Sequence, residues 1–221
     1  MEFFSYAWSI RDQILEETVS TLYMTFFSAL FAGLIGLIVA VLLVTTKKGG
    51  ILENTLFHSI LDKFINLMRA VPFVILLAVI APFTRFIVGT RIGDTAAIVP
   101  LVFTCAPFFA KQVEQALSSV NGGVIEAAQA MGDSPLDIIL SVYLREGLPH
   151  LIRGAAITLI SLLGLTTMAG TIGAGGIGKL AISVGYNRYK DDVVIVSLAI
   201  ILVLVYAIQG AAHYFVQKTT H

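Results

Sequence analysis

The chain has 221 residues, 57% of them hydrophobic and only 13% charged, with a mean hydropathy of +0.90, which is too apolar for an ordinary soluble domain and reads as an integral membrane protein. Its 14 basic residues balance its 14 acidic ones and the pI is about 6.9, so charge points to neither nucleic acid nor an anionic surface as a partner. The single Cys105 lies in an apolar run and cannot close an internal disulfide.

The N-terminal stretch is amphipathic and carries Glu2, Arg11, Asp12, Glu16 and Glu17. It lacks the basic start, short apolar run and small-residue cleavage site of a signal peptide, so it is expected to stay on the protein. No low-complexity segment or internal repeat interrupts the chain, and residues 1–221 read as one membrane domain. Leu22 to Val44 is 23 residues without a charge, long enough to cross a hydrocarbon core of about 30 Å. With its flanks it predicts a span over 20–45.

A second span is predicted over 59–83, although Asp62, Lys63 and Arg69 occupy its first turns. These turns are expected at the interface or against protein. Pro72 is expected within the helix, where it frees a carbonyl and produces a kink that neighbouring helices repair. The tetrad Arg69-Ala70-Val71-Pro72 is similar to the R-S-x-P found here in amino-acid importers, with Ala70 in place of serine. That resemblance makes Arg69 and Pro72 candidate pathway or gate residues; an interfacial arginine with an ordinary kink is the alternative. After the polar, glycine-containing link from Arg85, a third span is predicted over 94–117, interrupted by Pro100 and Pro107.

The one long polar segment follows, Asn121 to Pro149. Asn121 suits an N-cap, helix formers run to Met131, and Gly132 suits the left-handed residue that ends a helix. Ser134, Pro135 and Asp137 then form an N-cap, a first-turn proline and an S-x-x-D box for a second helix. Helices of about ten residues are marginal alone, so this hairpin needs a partner surface. Glu126-Ala127-Ala128 followed by Gly132 resembles the EAA-x3-G cytoplasmic loop of permease subunits in ABC importers, the loop that docks on the ATPase. The departure from that pattern is Arg145, where proline is expected; Leu148-Pro149 come later. By this resemblance Glu126, Ala127, Ala128, Met131 and Gly132 are the ATPase-coupling residues. A plain packed connection between two spans is the alternative.

A fourth span is predicted over 151–172 and a fifth over 192–214. Between them, Gly173-Ala174-Gly175-Gly176-Ile177-Gly178-Lys179 satisfies G-x-G-x-x-G and nearly satisfies a phosphate loop. It follows an apolar span instead of a strand, and Leu180 stands where a Mg²⁺-binding hydroxyl is needed, so nucleotide binding is not expected. Glycines there would let backbones approach closely and a helix end unwind. The run is similar to one in methionine-type ABC permeases, which makes Thr167, Met168, Gly173 and Gly175 candidates for the outer gate. Small-residue packing between helices is the alternative.

His58, His150, His213 and His221 are scattered without cysteine partners, so no metal site is expected, and no catalytic constellation is recognisable. Spans one, four and five hold no ionisable residue in their apolar interiors, unlike proton-coupled carriers. Energy is therefore expected from outside the chain. Three readings remain: an importer permease, an ATPase-independent carrier or channel, and a non-transporting membrane assembly factor.

The resemblance favours the first and extends over nearly the whole chain. It implies an all-α integral membrane protein with five transmembrane helices and a cytoplasmic two-helix coupling loop, at 121–149, between helices 3 and 4. It implies a non-enzymatic homodimer in the bacterial cytoplasmic membrane, in contact with membrane lipid and without nucleic acid. Two copies of a cytosolic ABC ATPase would bind it and hold the ATP and Mg, leaving no cofactor on this chain. An extracytoplasmic binding protein or lipoprotein would deliver methionine (L- or D-), a related compound, or another amino acid or small metabolite. With the N-terminus out and the C-terminus in, eight basic residues face the cytosol against six outside, a small positive-inside excess.

Overall fold

The computed structural model describes residues 4–219; Glu2 and His221 lie outside them. Every regular element among these residues is helical. In chain order they are α1 (Ser5–Ser9), α2 (Arg11–Thr46), α3 (Thr55–Ala70), α4 (Phe73–Val88), α5 (Asp94–Ser118) and α6 (Gly122–Ala130). A second series follows: α7 (Pro135–Asp137), the π-helical Ile138–Tyr143, α8 (Leu144–Glu146), α9 (Leu148–Thr171), α10 (Ile177–Lys179), the π-helical Leu180–Gly185, a 3₁₀ turn Tyr186–Arg188, and α11 (Asp191–Thr219).

Four of these, α2, α5, α9 and α11, are long and apolar enough to cross a membrane, and the broken pair α3 and α4 makes a fifth candidate if it counts as one span. The helices α5 and α9 begin and end near charged or glycine-rich links, whereas α11 continues past Gly210 to Thr219. The predicted first span falls short of α2, which begins at Arg11 and reaches 36 residues. Hydropathy registers only its apolar part, whereas the helix also includes the polar turn of Glu16 and Glu17.

Within the second predicted span, the expected place of Pro72 needs correction. Pro72 does not lie within a helix: α3 stops at Ala70, and Pro72 is the N-cap of α4 with φ −60° and ψ 134°. A proline lacks the N–H that a continuing helix would use and pushes the residue before it away from helical angles. The chain therefore restarts instead of kinking. The proline inside α4 is Pro82. In α5, by contrast, Pro100 and Pro107 are accommodated in an unbroken helix.

Packing divides the chain into two compact units. One gathers the chain up to Phe31, residues 71–104 and residues 159–209. In it Ala7, Ile14, Leu180, Val184 and Val193 form a buried cluster. The buried Asp192 carboxylate at the start of α11 accepts the Ala7 N–H at 2.7 Å, which ties down α1. The other unit gathers residues 32–70, 105–158 and the chain from Gly210. Its core joins Ala40 and Val44 of α2 and Ala110, Val113 and Leu117 of α5 to Ala128, Ile138, Val142 and Tyr143.

Candidate functional site

The Asn121 to Pro149 segment folds as two short helices with a tight turn. The Asn121 side chain accepts the Gly123 N–H at 2.8 Å and so starts α6. Gly132, at φ 89°, ends it: the Gly132 N–H donates to Gln129 and the Asp133 N–H to Ala128, the paired bonds of a Schellman ending. The Ser134 hydroxyl then accepts the Asp137 N–H and donates to its carboxylate at 2.6 Å, with Pro135 in the first turn. The second helix runs through a π-helical stretch to Glu146, and Pro149 falls in the first turn of α9. Arg145 thus lies within α8, and proline stays compatible with helix because it comes at a new start.

This geometry separates the candidate coupling residues. Ala128 is 2% exposed and packs in the core formed by α2 and α5. Glu126, Ala127 and Gly132 are exposed, and Met131 is 75% exposed. Val124, Leu136 and Leu140 are also exposed. One face of the hairpin is therefore fixed to the helix ends, while the other offers an acidic residue, a methionine and apolar side chains to a partner.

The glycine run is a second built feature. α9 stops at Thr171, and Gly173 (φ 116°) and Gly176 (φ 93°) take left-handed angles in the turn that follows. Three backbone N–H groups of this turn are held by side chains from distant parts of the chain. Gly175 donates to Asp94 Oδ1 at 2.7 Å, Gly176 to Glu17 Oε2 at 2.5 Å, and Ile177 to Thr21 Oγ1 at 2.8 Å. The Ser20 hydroxyl donates to Asp94 Oδ2 at 2.5 Å, and Lys179 Nζ meets Glu17 Oε1 at 2.7 Å. The hydrogen bond to Glu17 holds the Lys179 ammonium above its ordinary pKa of 10.5, outweighing the opposing effect of burial.

These carboxylates already engage the polar groups of the run. A phosphate would need the same N–H groups and the same lysine, and would meet Glu17 and Asp94 instead. The loop also follows a helix rather than a strand. A cavity of about 470 Å³ opens beside it, lined by Glu16, Ser20, Asp94, Lys179 and Ser183 among others.

Of the candidate gate residues, Thr167, Met168, Gly173 and Gly175 belong to the unit that contains this loop, as does Pro72, while Arg69 belongs to the other. Met168 is 46% exposed, and the Thr167 hydroxyl donates to the Leu163 carbonyl at 3.0 Å. Arg69 is exposed and donates to Asn66 at 3.4 Å. No motif in the sequence marks Glu17, Ser20, Thr21 or Asp94 as part of a site. Two carboxylates beside apolar runs were the available signal, since ionisable groups there are costly and need partners.

A third polar group ties α3 to α5: Lys111 Nζ is paired with Asp62 and, at 2.6 Å, with Glu114. Among the described residues no cluster of histidine, cysteine, aspartate or glutamate has the makings of a metal site. His58 instead bonds the Leu43 carbonyl at 3.0 Å.

An all-helical chain with four or five candidate spans and a polar hairpin has the architecture of a membrane permease. Residues 35–221 match the family described as the binding-protein-dependent transport system inner membrane component, and the chain belongs to that family. Its relatives are transport subunits and not enzymes. It is 42% identical over 210 residues, 95% of this chain and 93% of the relative, to the probable D-methionine transport system permease protein MetI of Vibrio cholerae. To the methionine import system permease protein MetP of Bacillus subtilis it is 44% identical, over 76% of each chain. A solved structure of the MetNI methionine ABC transporter in inward facing conformations contains a chain that superposes with a TM-score of 0.94 at 43% identity, covering 96% of this chain and 99% of that one. An amino acid ABC transporter at 18% identity, with a TM-score of 0.79, shares the fold.

Proposed function

We propose that this chain is the membrane permease of an ATP-driven importer for methionine, in either stereochemistry, or a closely related amino acid. The observation that carries the reading is likeness at 42–43% identity, over nearly the full length, to permeases named for methionine transport. The chain is a homodimer in the cytoplasmic membrane, surrounded by lipid, with α3 and α4 together acting as the second of five spans. Two copies of a cytosolic ABC ATPase hold ATP and Mg, and this chain binds no cofactor. An extracytoplasmic binding protein delivers the substrate. The N-terminus is outside and the C-terminus inside.

In this reading Glu126, Ala127, Met131 and Gly132 present the docking face of the hairpin, and Ala128 transmits its movement to the ends of α2 and α5. ATP-driven closure of the ATPases draws the two α6 helices of the dimer together, the attached spans rock, and the pathway turns from outside-closed to outside-open. Thr167, Met168, Gly173 and Gly175 form the outer gate, and Arg69 and Pro72 flank the pathway. Since no ionisable group lies in the apolar interiors of the first, fourth and fifth spans, selectivity rests largely with the binding protein.

Affinity purification of the chain from its native membrane in mild detergent, with mass spectrometry of its companions, tests the assembly. An ABC ATPase recovered in equal amount supports the reading. Recovery of the chain alone in several detergents rejects it and favours an ATPase-independent carrier.

A further inference from the structure

We infer that Glu17 and Asp94 are positioning residues of the transport cycle. They fasten the glycine loop, and with it the end of α9 that carries Thr167 and Met168, to the early turns of α2 and α5, so that these three helix ends move as one body. The inference rests on the proposed transport function, and on four features of the loop.

The first is reach: Glu17 and Asp94 come from different helices and meet adjacent N–H groups, those of Gly176 and Gly175. Both oxygens of each carboxylate are engaged, Glu17 by Gly176 and Lys179 and Asp94 by Gly175 and Ser20. The second is burial. Glu17 is only 6% exposed, so releasing the loop would leave a buried carboxylate and buried N–H groups without partners, a costly combination. The third is fit: a β-carbon on Gly175 would come within 2.6 Å of Asp94 Oδ1 and 2.8 Å of Ser20 Oγ. Only glycine lets the loop lie this close to its acceptors. The fourth is onward contact, since a β-carbon on Gly178 would come within 2.0 Å of the Thr167 carbonyl oxygen. The clamped segment is thus folded directly back on the turn of α9 that bears the candidate gate. A clamp with this many partners is more costly to open than to carry along.

The test uses the whole transporter with its ATPase and binding protein in proteoliposomes. Asp94→Ala is expected to lower substrate moved per ATP hydrolysed by about tenfold with the complex assembled, whereas Asp94→Asn, whose amide oxygen still accepts the Gly175 N–H, stays within about twofold of wild type. Normal coupling in Asp94→Ala, or equal loss in both variants, overturns the inference. Should Asp94→Ala fail to assemble, spin labels at the exposed positions Thr95 and Thr171 decide with the clamp intact, in complexes diluted with unlabelled chain. Their separation is expected to be the same with and without trapped ATP; a change of about 5 Å or more, a helical turn, overturns the inference. Absence of ATP-dependent uptake by the unlabelled wild-type complex would instead reject the proposed function.

Discussion

Gly178 lies against Thr167 so closely that a methyl group on its α-carbon would come within 2.0 Å of the Thr167 carbonyl oxygen. Backbone cannot yield as a flexible side chain can, so Gly178→Ala forces α10 away from α9. The expected cost is about 1–3 kcal/mol, with transport reduced well beyond any loss of membrane-inserted protein. Gly164→Ala is the matched control, since nothing lies within 4 Å of its added carbon. Uptake normalised to inserted protein separates the two variants.

Gly132 presents the opposite case. No atom crowds it, but its φ of 89° is one that other residues adopt poorly. Gly132→Ala should therefore weaken the hairpin by about 1 kcal/mol, and Asn should be tolerated better than Val. Glu126 is exposed. Glu126→Arg should leave Tm unchanged while lowering affinity for the ATPase by roughly 30-fold, about 2 kcal/mol. Titration of the purified subunits checks this, and unaltered affinity would count against the docking face.

Lys179 sets a pH dependence of known sign. Glu17 holds its pKa above 10.5, so the stabilisation from this pair is complete below 10.5 and is lost as pH rises through the higher folded value. The Tm difference between wild type and Lys179→Met should be constant from roughly pH 6 to 9 and shrink only above the ordinary lysine range. The lysine side chain is 45% exposed, so the difference is small, at most about 1 kcal/mol.

Lys111 stands between Asp62 and Glu114, all three partly exposed. Asp62→Ala removes the link to α3 but leaves the lysine its second carboxylate. A loss of about 1 kcal/mol is expected, against a larger loss for Lys111→Ala, which leaves two carboxylates facing each other. Thermal unfolding of both variants in one detergent tests the order.

Local chemistry made much of this fold legible. Asn121, Gly132, Ser134, Pro135 and Asp137 each carry a conformational preference that reads directly as cap, turn or start, and the hairpin forms as they indicate. Charged and glycine-rich links likewise flank α5 and α9. Pro72 was less legible, because a proline beside apolar residues can kink a helix or restart one, and the choice depends on neighbours distant in sequence. The clamp was least legible. Glu17 and Gly176 are 159 positions apart, and Asp94 and Gly175 are 81 apart, so no window of sequence contains either pair. The sequence showed glycines that needed an explanation, and the acceptors that explain them lay elsewhere in the chain.

Uptake in proteoliposomes shows whether this chain carries methionine inward at the expense of ATP. The purified chain, its co-purifying ATPase and the cognate binding protein are reconstituted, and labelled methionine is followed with and without ATP. The expected result is accumulation that requires ATP, is competed by unlabelled methionine, and is lost in Glu126→Arg. Uptake that proceeds equally without ATP, or that is indifferent to Glu126, would rule out ATP-driven import through the docking hairpin.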